Sequence, residues 1–336
     1  MKIESKWEQI RIENSLTKIN CDAPKIEEYN IQKKGIYPVV TQDVSIEIAG
    51  YTNKTNAITD LPIVLFGDHS CCVKYIDYPF FRGADGTVLL KPNPKFNPKY
   101  YYYLIEYVVN NLIDNTKYER HNKYLKDLFI PLPPKNIQEK IVTEIERIEE
   151  EKKVMSIKII KLNQSIQKIL NSLSGTTFRI DQILSLEYGR SLPEHKRVSG
   201  NYPVLGSNGI VGYHNEYLIV GPSVVVGRKG SAGKVVWVEN NNFPIDTTFY
   251  VKLLDNSNSL RLIYYILKGL NLNGTGTGVP GLNRNDVYQK SIIMPDKEKQ
   301  RKIVLEIEAL EKQIVETRKI IDDGVKLKNA VLKKYL

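Results

Sequence analysis

The stretch KNIQEKIVTEIERIEEEKKVMSIKIIKLNQSIQKILNSL, Lys135 to Leu173, decides the fold because the chain contains it twice. The second version, KEKQRKIVLEIEALEKQIVETRKIIDDGVKLKNAVLKKYL, runs from Lys297 to Leu336. Pro133, Lys135, Gln138, Lys140, Ile141, Val142, Glu144, Ile145 and Glu146 correspond to Pro295, Lys297, Gln300, Lys302, Ile303, Val304, Glu306, Ile307 and Glu308. A period of about 160 residues is too long for a solenoid and suits a duplicated domain.

In the first copy, apolar residues fall at Ile141, Ile145, Ile148, Met155, Ile159, Leu162, Ile166, Ile169 and Leu173, with Lys152 as a polar gap. Alternating steps of four and three keep one seam on one side of a helix. Pro133 and Pro134 precede the stretch and Gly175 follows it, which bounds a helix at both ends. The second copy places its seam at Ile303, Ile307, Leu310, Ile314 and Ile321, and its phase slips near Gly324. At 1.5 Å rise per residue each helix is roughly 55–60 Å long. Such a seam reads either as a dimerisation coiled coil or as two helices of one chain packed together. The duplication supports the second, since matched helices can bury both seams without a partner.

Between the helices, the strand-rich parts repeat one order. GIYPVVTQ from Gly35 is answered by NYPVLGSNGIVGY from Asn201, and the tyrosine-rich block Lys99 to Ile113 by LRLIYYILKGL. Asn283, Arg284 and Asn285 take the slot of His121, Asn122 and Lys123. The expected division is 1–134, helix 135–174, 175–296, helix 297–336, with the strand-rich parts far more diverged than the helices.

The 336 residues carry a net charge of +10, with 26% charged and 42% hydrophobic residues. This balance supports ordinary cores and points to a polyanionic partner first, an anionic membrane second. No apolar run approaches the roughly 18–20 residues that span a bilayer, and the N-terminal stretch has no apolar signal region. Three cysteines, two of them adjacent, read as reduced thiols in a cytoplasmic protein, and the four histidines lack metal-ligand spacing. Tyrosine outnumbers phenylalanine 21 to 8, which fits either half-wet groove contacts or a strand-rich fold.

No catalytic constellation emerges. GRKGSAGK, Gly227 to Lys234, departs from the phosphate-binding loop pattern in spacing, and Val235 stands where Ser or Thr is required. It reads as a tight turn that lets backbone approach a phosphate or base, or as a hairpin with solvated charges. Asp181 with Glu194, His195 and Lys196 loosely imitates a metal nuclease and has no counterpart in the first half. No methyltransferase motif or dinucleotide fingerprint is present.

The cations group in corresponding places. They are Lys74, Arg82, Lys117, Arg120, His121 and Lys123 in the first half, and Arg190, Lys196, Arg197, Arg228, Lys229, Lys234 and Arg284 in the second. Lys and Arg neutralise phosphates, while Arg, Asn and Gln read base edges. With the polar neighbours Asn122, Ser207, Asn208, Ser231 and Asn283, they form the candidate DNA-contact set.

On the motifs YPVLGSNGIVGY, GRKGSAGKV, FPIDTTFYV and GVPGLNRNDVYQKSIIMPDKEKQRKIV, with FGDHSCCVKYIDYPFFRGADGTVLL and YERHNKYLKDLFIPLPPKNIQEKIV in the first half, the chain resembles the specificity subunit of type I restriction–modification systems. The resemblance covers essentially all of it. It implies an α+β fold with a pseudo-two-fold internal repeat: two strand-rich target-recognition domains separated by two long helices packed as an antiparallel coiled coil. Each domain would read half of a bipartite site on double-stranded DNA, and helix length would set the spacer between the halves. The subunit itself would be non-catalytic and bind no cofactor. Adenine methyltransferase subunits would dock on the helices, with Gln138, Ile141, Ile145, Gln300, Ile303 and Ile307 as candidate contacts. S-adenosylmethionine and Mg2+ would sit on the partners, including a restriction subunit. The chain is short for that family, and the compact specificity subunits of type IIB systems, which partner a fused nuclease–methyltransferase, are similar.

Overall fold

The structure, a computed structural model, describes residues 3–83, 86–114, 116, 119–270, 272 and 281–336. The chain forms two compact units, one of residues 1–155 with 319–336, the other of residues 156–318. The helices are α1 (Pro98–Leu112), α2 (Asn122–Asp127), α3 (Lys135–Asn171), α4 (Leu260–Gly269), α5 (Arg284–Tyr288) and α6 (Lys297–Tyr335). Both long helices lie where the repeated stretches predict them, and both unit boundaries fall inside them.

Unit 1 holds β1 (Glu8–Arg11), β2 (Tyr37–Val40), β3 (Gly50–Thr52), β4 (Ile63–Gly67), β5 (Val73–Ile76), β6 (Phe81–Arg82), β7 (Thr87–Leu90) and β8 (Phe129–Leu132). They form sheets ordered β3-β2-β6, β5-β4-β7 and β1-β8. Unit 2 holds β9 (Thr176–Arg179), β10 (Leu184–Tyr188), β11 (Tyr202–Gly206), β12 (Gly209–His214), β13 (Ser223–Gly227), β14 (Val235–Val238), β15 (Phe243–Pro244), β16 (Thr248–Leu253) and β17 (Ser291–Met294). Its sheets repeat the plan as β12-β11-β15, β10-β16-β13-β14 and β17-β9, with β10 added at one edge. Strands β4 and β13, IVLFG and SVVVG, are buried along their whole length and sit at inner positions of their sheets.

Tyr100, Tyr101, Tyr103, Tyr264 and Tyr265 are buried in the cores. Asn97 caps α1 by accepting from the Lys99 and Tyr100 amides, and Pro98 follows at the first helical position. Tyr100, Tyr101 and Tyr103 are buried on α1, and each hydroxyl has a partner: Pro131 O, Ser15 Oγ and Glu149 Oε2 respectively. A buried phenol without such a partner would forfeit hydration with no return. Part of the tyrosine excess is thus core packing on a helix.

The residues shared by the two long helices explain the repeat. Gln138 accepts from the Asn97 amide and donates to Lys95 O and Pro133 O, so it ties the first turn of α3 to the cap of α1. Gln300 repeats this, accepting from the Ser259 amide at the cap of α4 and donating to Asn258 Oδ1 and Pro295 O. Ile141 and Ile145 are fully buried in the core under α1, and Ile307 lies in the core under α4 with Ile303 packed against it. Burying an Ile side chain contributes about 1.5–3 kcal/mol.

Within unit 1, the segments of α3 and α6 run antiparallel. Glu149 pairs with Lys328 at 2.8 Å, and Glu144, one turn and more upstream, pairs with Lys334 at 3.0 Å and accepts from Tyr335. The helix end then reaches the opening strand, where Trp7 Nε1 donates to Tyr335 O at 2.8 Å. The predicted slip near Gly324 does not interrupt α6. A Cβ there would stand 2.7 Å from Lys152 Cδ, so the polar gap of α3 is filled by a lysine stem lying over the glycine.

Candidate nucleic-acid interface

In unit 2, β13 and β14 join through the turn Gly227 to Lys234. The Gly227 amide donates to Lys234 O and the Gly233 amide to Gly227 O, both at 2.8 Å. Gly233 has φ +86°, and a Cβ on it would fall 1.2 Å from Leu272 O, so only glycine fits. Gly230, at φ +81°, stands at the open tip, with Ser207 Oγ the nearest obstacle at 3.5 Å. The turn is held from both sides. Thr247 O accepts from the Arg228 and Lys229 amides, and the Leu282 amide donates to Arg228 O. Asn283 then caps α5 by accepting from the Asn285 amide.

This frame leaves Lys229, Ser231, Asn208 and Asn283 exposed, with Ser207, Arg228 and Arg284 half-buried beside them. Arg190 is exposed on the strand-to-loop exit of β10, its amide donating to Pro244 O. Lys234 is exposed yet committed: its ammonium donates to Asn208 O and Oδ1, both at 2.8 Å, and so holds the β11–β12 loop. Arg197 likewise donates to Val211 O and Leu192 O. Lys196 is exposed near by in sequence.

Unit 1 builds the same frame with other side chains. The Gly67 amide donates to Cys72 O and the Cys71 amide to Gly67 O. Cys71 takes the left-handed conformation at φ 55°, and burial pushes its thiol up to about 11, which keeps it protonated. Asp68 occupies the place of Arg228. Its carbonyl accepts from the His121 amide, as Arg228 O does from Leu282, and its carboxylate accepts from the Asn122 amide at 2.7 Å. The match of His121 with Leu282 is one residue out of step with the helix correspondence, which equates His121 with Asn283. Gln42 completes the turn. Its Oε1 accepts from the His69 and Ser70 amides, and its carbonyl accepts from Ser70 Oγ at 2.5 Å.

Several expected contacts therefore have other work. His121 is fully buried, so its backbone, not its ring, serves the frame; a DNA edge has no route to the imidazole. Lys74 is directed inward, donating to Thr41 O at 2.9 Å and Ile46 O at 2.6 Å, and desolvation lowers its pKa. Arg82, on β6, and Asn122, whose amide donates to Asp68, are half-buried. Arg120 and Lys123 stay exposed, Lys123 beside Glu119 and over the Tyr124 ring. Lys117 and residues 273–280, which carry most of the GTGTGVPG run, lie outside the described residues. Of the candidate partner contacts, Gln138, Ile141, Ile145, Gln300 and Ile307 are buried in their own units and Ile303 packs on a core, so they hold the helices to this chain. Gln42, Asp68 and Tyr188 were not singled out by charge. Setting YPVVTQ against YPVLGSN and GDHS against GRKG would have pointed to the first two.

No group of three or more His, Cys, Asp or Glu is placed to hold a metal ion among the described residues, and no helix is long and apolar enough to cross a membrane.

Comparison with known proteins follows the repeat. The family described as "Type I restriction modification DNA specificity domain" matches residues 4–164 and again 175–323. A crystal structure of the type I restriction-modification system S subunit from M. genitalium is 19% identical, with a TM-score of 0.56, covering 98% of this chain and 96% of that one. A structure described as the basis of complex assembly and conformational transition of the type I R-M system is 12% identical, with a TM-score of 0.60, covering 98% and 97%. At these identities the two structures share the fold. No curated protein matches the chain.

Proposed function

We propose, for a chain that belongs to the type I restriction–modification DNA specificity family, that it is the non-catalytic reading subunit of a cytoplasmic restriction–modification complex. Each unit reads one half of a bipartite site on duplex DNA. Methyltransferase subunits carrying S-adenosylmethionine, and a restriction subunit using Mg2+, supply the chemistry.

The observation that carries this reading is the duplicated turn with exchanged side chains. One backbone frame, Gly67 to Cys72 and Gly227 to Lys234, is held by equivalent amide bonds, yet the same place carries a buried Asp68 that accepts from the Asn122 amide in one unit and a half-buried Arg228 in the other. A fold that kept its frame and changed its reading residues would give two half-sites of different sequence. Two non-identical reading heads on one chain would need no second copy.

The partner surface is then the apolar side chains that the long helices leave exposed, since the seam residues are buried or half-buried. Ile157 and Ile160 on α3 are 52% and 58% exposed, and Leu305 and Val315 on α6 are 66% and 67% exposed. Such residues fit the apolar centre of a protein interface.

The test replaces residues 175–296 with the same unit from a relative and reads the methylated motif by sequencing DNA from cells that also make the partner subunits. One half-site changes and the other is kept. A change in both halves, or in neither, overturns the proposal.

A further inference from the structure

We infer that Tyr188, at the end of β10, is a specificity-determining residue of unit 2, gathering the Arg228 and Arg284 guanidinium groups on its ring to read a guanine. The inference rests on the proposed function and adds to it a residue and a base.

Tyr188 is 51% exposed, and its ring lies 5.0 Å from that of Phe249, its neighbour across β10 and β16. The Arg228 guanidinium carbon is 5.3 Å from the Tyr188 centroid and 6.0 Å from that of Phe249. The Arg284 guanidinium carbon is 5.1 Å from the same Tyr188 ring. Two residues far apart in sequence thus bring two cations onto one half-exposed ring. Arg228 is further fixed by Nε and Nη2, which donate to Asp246 O at 3.1 and 2.7 Å.

Unit 2 contains its own contrast. Arg261 also lies over aromatic rings, those of Trp237, Tyr264 and Tyr265, at 4.5 to 5.3 Å. That cation is neutralised by Glu308 at 3.1 Å and Glu311 at 3.3 Å, as a structural arginine should be. Among the described residues no carboxylate pairs with Arg228 or Arg284. Their mutual repulsion is left standing at the surface, beside the tip of a glycine turn, where an electron-rich partner would relieve it.

A guanine edge fits better than a phosphate. A guanidinium confined beside a ring has its planar fork restricted in where it can reach, which suits the fixed O6 and N7 pair of guanine. A phosphate accepts from many directions and gains little from such confinement. Arg228 has two of its nitrogens occupied by Asp246 O, so Arg284 makes the bidentate contact and Arg228 supplies charge beside it. Unit 1 has Asp68 in the place of Arg228, so the device belongs to one half-site only.

The experiment assembles the full chain with the methyltransferase subunits proposed above and selects bound sites from a randomised duplex library at two salt concentrations. Tyr188→Ala and Arg284→Ala should lose preference for guanine at one and the same position by about tenfold or more, with the rest of the motif intact. Tyr188→Phe should keep the preference, because the ring face suffices. The salt dependence of Tyr188→Ala should equal that of the wild type. If Tyr188→Ala melts early, Tyr188→Leu, which keeps contact with Phe249 but has no π face, carries the same expectation. Uniform weakening at every position with a shallower salt slope for Arg284→Ala identifies a phosphate contact and overturns the inference. An unchanged motif in both alanine variants overturns it too, and leaves the proposed function standing. A wild-type complex that enriches no motif overturns both.

Discussion

Tyr265 donates its hydroxyl to Glu311 at 2.7 Å, and one repeat earlier Tyr103 donates to Glu149 at 2.9 Å. Each bond joins the tyrosine-rich helix of a unit to a long helix, beside a second matched contact: Lys99 with Glu146, and Arg261 with Glu308. The diverged units are thus fastened to the repeated helices by the same Tyr–Glu pair, and that fastening makes testable demands.

Alkaline stability is the first. Burial, aided by the neighbouring glutamate, raises the pKa of Tyr103 and of Tyr265 above the ordinary phenol. Burial works against the Lys328 ammonium, but Glu106 and Glu149 still hold its pKa above that of an ordinary lysine. All three groups keep their protons longer when folded than unfolded, so their contribution is full below about pH 10 and falls as pH rises further. Urea midpoints should decline above about pH 10, less steeply in Tyr103→Phe with Tyr265→Phe. Lys328→Met should cost about 2 kcal/mol at neutral pH, since it leaves Glu106 and Glu149 facing each other. A flat midpoint from pH 9 to 11 would contradict this account.

The two glutamines should act locally. Gln138→Ala strips the Asn97 amide of its acceptor, and Gln300→Ala does the same to the Ser259 amide. Each should cost about 1–3 kcal/mol. Amide exchange should quicken in α1 for the first variant and in α4 for the second. Equal quickening of both helices by either variant would show that the glutamines do not act as separate pins.

The glycines of the turn should separate fold from function. Gly233→Ala meets the Leu272 carbonyl and should lower the melting temperature of unit 2 sharply. Gly230→Ala meets only the conformational cost of a left-handed residue, about 1–2 kcal/mol. It should keep the fold but weaken DNA binding, because on the proposed function the tip is where backbone would approach the duplex. Circular dichroism melts with filter binding distinguish the two, and the reverse ranking would place the structural glycine at the tip.

The lysines should divide in the same way. Lys229→Ala should lower the slope of log K against log salt by about one unit. Lys74→Met should change that slope little and instead loosen the loop whose carbonyls it holds. Proteolysis within residues 41–46, compared between wild type and variant, checks the second half. A slope change of about one unit for Lys74→Met would return its ammonium to the DNA-contacting set.

The bounds of α3 and α6 were legible to within three residues, because a proline stop and a continued apolar seam are local signals. The order of the strands and of the tyrosine-rich helices was also legible, since the duplication let each unit check the other. What the seam faces was not legible. Ile141 and Ile145 could have met a partner subunit, a second copy or their own unit, and an apolar pattern records only that water is excluded.

The contact set shows the same boundary. Composition and spacing marked Lys74, His121, Lys234 and Arg228 alike as cations or near-cations of an interface. Only the tertiary structure separated them, because the fate of a long side chain depends on which carbonyls the fold brings within about 3 Å of it. Lys74 meets Thr41 O, Lys234 meets Asn208 O, and His121 is enclosed. Arg228 and Arg284 meet at Tyr188, an uncharged residue that no count of charges selects. Periodicity is written into neighbouring residues and can be read from them; the convergence of residues from β10, the β13 turn and α5 exists only once the sheets have paired.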